Sequence, residues 1–303
     1  MEKPKIIISG GDGFIGSNII KQFHKKYDFI VLKRRGSSIH YVEIGKLATI
    51  QVEPEIGNKD ILEFSDAIGM ILLNSSRPNS ASSGLIKDVF EMDINHTKRM
   101  LDLCVENNIK HVIFASSKSV YGINDPLPNN EEQESFPDTI YGMNKLLTEK
   151  LGLFYERKHG IKFTALRLAQ VFGIGDNYPN MINIFMKNTL ANRDMEIWGD
   201  GKTDCRTYIY VNDVADAFIH FIETGITGVF NIGMNRTFSP LQIARFLIRQ
   251  KHSEIQIVNN LEKKIIPRNE QFSIIKAKKE ASWESSWKME QALNDFREKQ
   301  ITL

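Results

Sequence analysis

The chain has 303 residues, 42% of them apolar, with 39 Lys and Arg against 37 Asp and Glu for a formal net charge of +2. That length and apolar content can bury a full core as one large or two modest domains, and a near-neutral charge without a basic stripe excludes nucleic-acid binding as the main task. Two cysteines, Cys104 and Cys205, without metal-ligand spacing, together with no signal-peptide pattern and no apolar run near about 18 residues, imply no metal site, no membrane span and a reducing cytoplasm.

Lys5-Ile-Ile-Ile-Ser9 predicts a short strand, and Gly10-Gly-Asp-Gly13-Phe14-Ile15-Gly16 predicts a turn opening a helix over 14–25, with Phe14, Ile15, Ile19, Ile20 and Phe23 on its inner side. Glycines at 10, 13 and 16 between a strand and a helix suit a tight turn and a close backbone approach to a pyrophosphate at the helix N-terminus. Gly10, Gly13, Phe14, Ile15 and Gly16 are therefore candidate dinucleotide contacts, the alternative being a glycine-rich connector without a ligand. Further strands are expected over 29–32, 69–73, 111–115 and 162–168, alternating with helices over 88–107 and 141–159. Alternation of this kind implies an α/β fold with right-handed βαβ units and a mostly parallel sheet covered by helices on both faces. Beyond Gly173 the pattern loosens into helices over 182–190, 213–224 and 240–250, short strands between them, and a polar C-terminal tail.

Tyr141-Gly-Met-Asn-Lys145 opens the helix over 141–159, and Phe114-Ala-Ser-Ser117-Lys-Ser-Val-Tyr121-Gly122 precedes it. On a helix, a spacing of four stacks a phenol and an ammonium one turn apart. A free tyrosine ionises near about pH 10, and an adjacent cation favours the phenolate, so Lys145 can ready Tyr141 for proton transfer near neutrality. Alone, such a pair is equally the solvated face of an ordinary helix. Either Ser116 or Ser117 could supply a companion hydroxyl from the preceding strand.

Taken in order, Gly10-x-x-Gly13-x-x-Gly16, Ser117 four residues before Tyr121, Tyr141-x-x-x-Lys145, the segment from Ile197 through Arg206 and Asp213 to Ala217, and Phe230-Asn-Ile-Gly233 resemble the extended short-chain dehydrogenase/reductase family. Its members include nucleotide-sugar epimerases, dehydratases and ketoreductases, and the resemblance runs from about residue 5 to residue 285. It implies a Rossmann-type doubly wound parallel sheet over 1–172, with a return segment over about 206–233, and a smaller α/β substrate-binding lobe over 173–303. It selects Ser117 as the catalytic hydroxyl, with Tyr141 and Lys145 completing the catalytic set and Lys145 also holding the nicotinamide ribose. For the substrate, a nucleotide sugar, it implies contacts from Arg206, Gln170 and Arg268. Asn95 corresponds to an asparagine that is usually architectural, Asp213 is expected to fix the loop around Arg206, and the helices over 88–107 and 141–159 correspond to a homodimer contact.

The departures narrow the reaction. Dehydratases of the family carry an acid pair immediately after the catalytic hydroxyl, where this chain has Lys118 and Ser119. Enzymes that epimerise carbons 3 and 5 use a Cys and a His where this chain has Ser119 and Gly175. What remains is hydride transfer at carbon 4, in a 4-ketoreductase or a 4-epimerase. At the end of the second strand an acid binds the adenosine ribose of NAD, whereas an Arg accommodates the 2′-phosphate of NADP. The chain reads Val31-Leu-Lys33-Arg34-Arg35-Gly-Ser37 and lacks the acid, so Arg34 or Arg35 with Ser37 favours NADP over NAD, unless the two arginines are merely a cationic hairpin tip. Glu53-Pro54-Glu55 departs from the Asp usually offered to the adenine. The expectation is thus an NADPH-dependent 4-ketoreductase first, an NAD-dependent 4-epimerase second, and a non-catalytic NADP-binding regulatory protein third.

Overall fold

The computed structural model describes residues 2–33, 44–52, 66–73, 86–248, 255–258 and 269–301. In chain order the first part of the protein comprises β1 (Lys5–Ser9), α1 (Phe14–Phe23), β2 (Asp28–Lys33), α2 (Ile44–Leu47), β3 (Thr49–Val52), β4 (Ala67–Leu72), α3 (Ile86–Glu106), β5 (His111–Ser117), a 3-10 turn (Lys118–Val120), α4 (Ile140–His159) and β6 (Lys162–Leu168). There follow β7 (Gln170–Phe172), α5 (Met181–Leu190), β8 (Met195–Trp198), β9 (Arg206–Tyr210), α6 (Val211–Thr224), β10 (Gly228–Ile232), β11 (Thr237–Phe238), α7 (Pro240–Ile248), β12 (Ile255–Val258), α8 (Ile275–Ala281) and α9 (Met289–Ile301).

The isoleucines of β1 show why the sheet is covered on both sides. Successive side chains point to opposite faces, so Ile6 and Ile8 enter one core and Ile7 the other, and all three are fully buried. Each contributes about 1.5–3 kcal/mol by leaving water. The seven strands run parallel in the order β10-β6-β5-β4-β1-β2-β3. Phe218 and Phe221 of α6 and Ile19 and Ile20 of α1 fill one face. Met100 and Leu101 of α3 and Tyr155 of α4 fill the other. Connections run one way along the sheet from β1 through β2 and the other way from β4, so a crevice opens at the carboxyl ends of β1 and β4, where ligands of such sheets bind.

The remaining elements gather around a separate core of Phe172, Phe185, Tyr210, Phe238, Ile243 and Phe296. Here β9 pairs with β7 in parallel and with β11 antiparallel, and β8 pairs with β12. Within residues 206–233, β10 joins the main sheet beside β6, α6 packs against α1, and β9 stays in the small sheet. The C-terminal stretch expected as a polar tail is instead two helices, and α9 places Ala292, Leu293 and Phe296 in the smaller core. Its few apolar residues give a weak helical period, so burial here depends on a partner surface that the pattern does not reveal.

His111 begins β5 and is buried, with Nε2 donating to Thr164 Oγ1 at 2.9 Å while Thr164 donates to the Ile226 carbonyl at 2.7 Å. Burial, reinforced by the charge of Lys162, pushes the imidazole down to about 4. Because the folded value lies below the unfolded one, the neutral ring's contribution is complete above about pH 6.5 and declines as the pH falls towards about 4. Urea unfolding is expected to show His111→Gln removing up to about 3 kcal/mol of the parent's stability loss over that window; equal acid slopes in both proteins contradict this.

Candidate active site

The site forms where β5 ends and α4 begins. Thr139 caps α4 by accepting the Gly142 N–H at 3.0 Å, which fixes the helix start at Ile140, one residue before Tyr141. A β-carbon at Gly142 would lie 1.9 Å from the Ser119 carbonyl oxygen, so a residue without one lets α4 press directly on the 3-10 turn that follows Ser117. Tyr141 is therefore half-buried against the end of β5. One turn on, Lys145 is buried; its Nζ donates to the Ala115 carbonyl at 2.6 Å and lies 4.6 Å from the Phe114 ring centroid and 5.7 Å from that of Tyr141.

The two serines at the end of β5 point to opposite sides of the strand. Ser116 Oγ donates to Glu149 inside the protein. Ser117 Oγ, on the other side, accepts the Ser119 N–H at 3.2 Å and keeps its own proton to donate. Tyr141 and Lys145 thus stand at the start of α4, and Ser117 ends β5 just before the 3-10 turn on which Gly142 packs. Gln170 stands just beyond Leu168, the strand partner of Ser117, and is half-buried. Arg206 is tied in by a different route: Lys118 pairs with Glu270, and Glu270 bridges to Arg206 along the backbone. The Arg206 guanidinium is held by Asp204 in a two-bond clamp at 3.0 and 2.8 Å. Burial opposes its charge, but the bonds to Asp204 and the proximity of Glu270 outweigh that and raise its affinity for the proton. A cleft of about 100 Å³ opens beside this corner, lined in part by Lys118, Ser119, Tyr121, Thr139, Asn269 and Glu270.

The glycine turn fits a dinucleotide. Gly10 has φ +83°, in the left-handed region that glycine favours, and a β-carbon on Gly16 would lie 2.5 Å from both the Gly10 carbonyl oxygen and Gly11 Cα. The N-cap of α1, Gly13, makes no side-chain capping bond and the first turn carries no acid, which leaves the helix N-terminus suited to a phosphate. Phe14 and Ile15 open that helix, half-buried. Arg34, Arg35, Arg268 and Glu53 to Glu55 lie outside the described residues. Asn95 is exposed on α3. Asp213, expected near Arg206, instead accepts from the Ser286 N–H and hydroxyl at 2.9 and 2.8 Å and from the Trp287 N–H at 3.2 Å, anchoring the approach to α9.

Sequence reasoning missed a buried network behind the site. Arg167 of β6 donates from Nε and Nη2 to Glu149 of α4 at 3.0 and 2.8 Å and from Nη1 to the Tyr121 hydroxyl at 2.9 Å. Tyr121 donates in turn to Asn231 of β10 at 2.8 Å. The available signal was an arginine inside an otherwise apolar strand and a glutamate eight residues after Tyr141.

The sequence profile described as the NAD dependent epimerase/dehydratase family matches residues 6–233. The chain belongs to this family. It is accordingly an NAD(P)-dependent enzyme of the extended short-chain dehydrogenase/reductase type, within the nucleotide-sugar epimerases and dehydratases. A protein of Methanocaldococcus jannaschii named as a putative UDP-glucose 4-epimerase is 30% identical over 227 residues, 70% of this chain and 71% of that one. The UDP-glucose 4-epimerase of Lactobacillus helveticus is 27% identical over 263 residues, 79% of each chain. The crystal structure of a Thermotoga maritima UDP-glucose 4-epimerase with UDP-glucose superposes with a TM-score of 0.83 at 27% identity, covering 98% of this chain and 99% of that one. No helix among the described residues is long and apolar enough to cross a membrane, and no cluster of three metal-ligating side chains occurs among them.

The glycine turn yields a direct test. Gly16→Ala is expected to weaken dinucleotide binding, measured by calorimetry, at least about tenfold, equivalent to about 1.4 kcal/mol; unchanged affinity would remove the turn from the cofactor site.

Proposed function

We propose that this protein is an NAD-dependent 4-epimerase acting on a UDP-linked hexose. The observation that carries the reading is the Lys145 ammonium 5.7 Å from the Tyr141 ring on one helix, with Lys118 bound to Glu270 where a dehydratase carries an acid. Gly175, where a 3,5-epimerase carries a histidine, has φ +89°, a conformation that a histidine side chain rarely adopts. Similarity to 4-epimerases at 30% and 27% identity favours epimerisation and reverses the order that Arg34 and Arg35 suggest from sequence.

Each group takes one task. When bound at the turn of Gly10, Gly13 and Gly16, NAD would supply reversible hydride transfer at carbon 4. Tyr141 removes the proton of the carbon-4 hydroxyl and returns it to the same oxygen after the sugar has turned its other face. Lys145 favours the phenolate and is assigned, by resemblance, to the nicotinamide ribose. Ser117 donates to the same sugar oxygen, orienting it and stabilising charge as it develops. Gln170 and Arg206 serve the diphosphate, for which Arg206 exchanges its clamp on Asp204; Arg268 is assigned to the same group. The second reading, an NADPH-dependent 4-ketoreductase, is favoured by one observation, that β2 ends in Lys33 followed by two arginines rather than in an acid. Retention of Ser117, Tyr141 and Lys145 opposes a binding protein without turnover.

We also propose a homodimer through α3 and α4. Met143, Leu147 and Phe154 form one exposed stripe on α4, at 43%, 37% and 49% exposure, with Val105 exposed on α3.

Chromatography of UDP-glucose incubated with the protein and NAD is expected to show UDP-galactose without net reduction of the cofactor, and Tyr141→Phe to slow this by about 10²–10⁴-fold. Consumption of NADPH that depends on a nucleotide 4-keto sugar, with no hexose interconversion, selects the ketoreductase. In sedimentation velocity the parent is expected as a dimer and a Met143→Glu/Phe154→Glu double variant as a monomer; identical profiles exclude this face.

A further inference from the structure

Tyr141, Lys145 and Glu149 recur at intervals of four on α4, so they share one helix face, each a turn from the next. Glu149 is 1% exposed and Lys145 4%, and a carboxylate and an ammonium one turn apart in a poorly solvated site attract each other strongly. Glu149 is nevertheless directed elsewhere. Arg167 grips both its oxygens, and Ser116 donates to Oε1 as well. Arg167 is itself fixed from behind: its guanidinium carbon lies 4.9 Å from the Tyr121 ring centroid, Nη1 donates to the Tyr121 hydroxyl, and Tyr121 leans on Asn231. The Asn231 amide is anchored by the Asn129 and Ser273 carbonyls at 3.1 and 3.2 Å. A strap from three separate chain segments thus holds one arginine on one glutamate, immediately behind the phenol–ammonium pair.

We propose that Arg167 is a positioning residue that sequesters the Glu149 carboxylate, so that Lys145 directs its charge at the Tyr141 phenol instead of pairing with Glu149. This rests on the reading of Tyr141 as the proton-transferring group. Burial opposes the Arg167 charge, but its bonds to Glu149 overcome that and keep it protonated at every working pH. Among the described residues, the other charged groups on elements packed against the start of α4 include Lys118 with its partner Glu270, Asp138 just before the helix, and Asp93, His96 and Arg99 on α3. The carboxyl end of β5 contributes none. None of these is altered in the variants below.

The test is ultraviolet titration of the Tyr141 phenol in the full-length protein, taken as the difference between each variant and the same variant carrying Tyr141→Phe. Buried tyrosines interfere little, since burial raises Tyr121 and Tyr155 to about 12 and Tyr208 and Tyr210 further. Arg167→Met is expected to raise the Tyr141 titration by about one pH unit, because Glu149 turns to Lys145. Glu149→Gln is expected to lower it, because the competing carboxylate is gone and Arg167 adds its charge, and Arg167→Lys to leave it at the parent value. Opposite shifts from two substitutions that break the same ion pair are the signature of charge sequestration. Shifts in the same direction, or none, make the pair a scaffold and overturn the proposal. Should Arg167→Met fail to fold, as a melting curve reports, Glu149→Gln decides alone: a lowered titration supports sequestration, and a raised or unchanged one overturns it. The readout needs no substrate, so failure to interconvert UDP-hexoses counts against the proposed reaction and leaves this inference standing.

Discussion

Helix α4 lies so close to the 3-10 turn after β5 that position 142 admits no β-carbon, and the proposed chemistry of the site depends on that contact. Thr139 fixes where the helix starts, Gly142 fixes how near it comes, and the four-residue period then places Tyr141 and Lys145. A second close approach, of Gly152 to the Phe163 ring, sets the other end of the helix against β6. Between the two, Lys145 bonds to the Ala115 carbonyl and Glu149 receives the Ser116 hydroxyl, so consecutive residues of one strand register the helix.

Charges around this corner come in closed pairs. Glu149 is matched by Arg167, Lys118 by Glu270 and Arg206 by Asp204. Removing a charge from water is costly unless a partner compensates, and leaving one partner alone inside is costlier still, so such pairs specify an arrangement more than they add stability. The pairs differ in depth. Arg167–Glu149 is fully enclosed, whereas the other two are partly open to solvent, and Lys118–Glu270 borders the cleft. A pair open to solvent can exchange one partner for another ion, a rearrangement that the enclosed pair cannot undergo.

Sequence legibility followed local periodicity. The strand, turn and helix over residues 5–23 were readable because the isoleucine alternation, the glycines and the apolar helix face all agree locally. The pairing of Tyr141 with Lys145 was readable because both sit on one helix. Ser117 could be separated from Ser116 only by resemblance; the structure adds that Ser116 is already engaged inward with Glu149. The Arg167 network was illegible because its members are 46 and 18 residues from Arg167 on separate elements, so their partnership exists only after the sheet forms. The helices α8 and α9 were missed because their apolar residues are few, and the same sparsity hid the role of Asp213 as the anchor between them and α6.

The path of the chain adds a mechanical consequence. After β6 it leaves the main sheet for β7 through β9, re-enters it as α6 and β10, leaves again for β11, α7 and β12, packs α8 against β10, and ends with α9 in the smaller core. The two cores are therefore joined by several separate connectors rather than by one. Relative movement of the two cores requires each connector to change its dihedrals in concert, so it is constrained at several points of the chain at once.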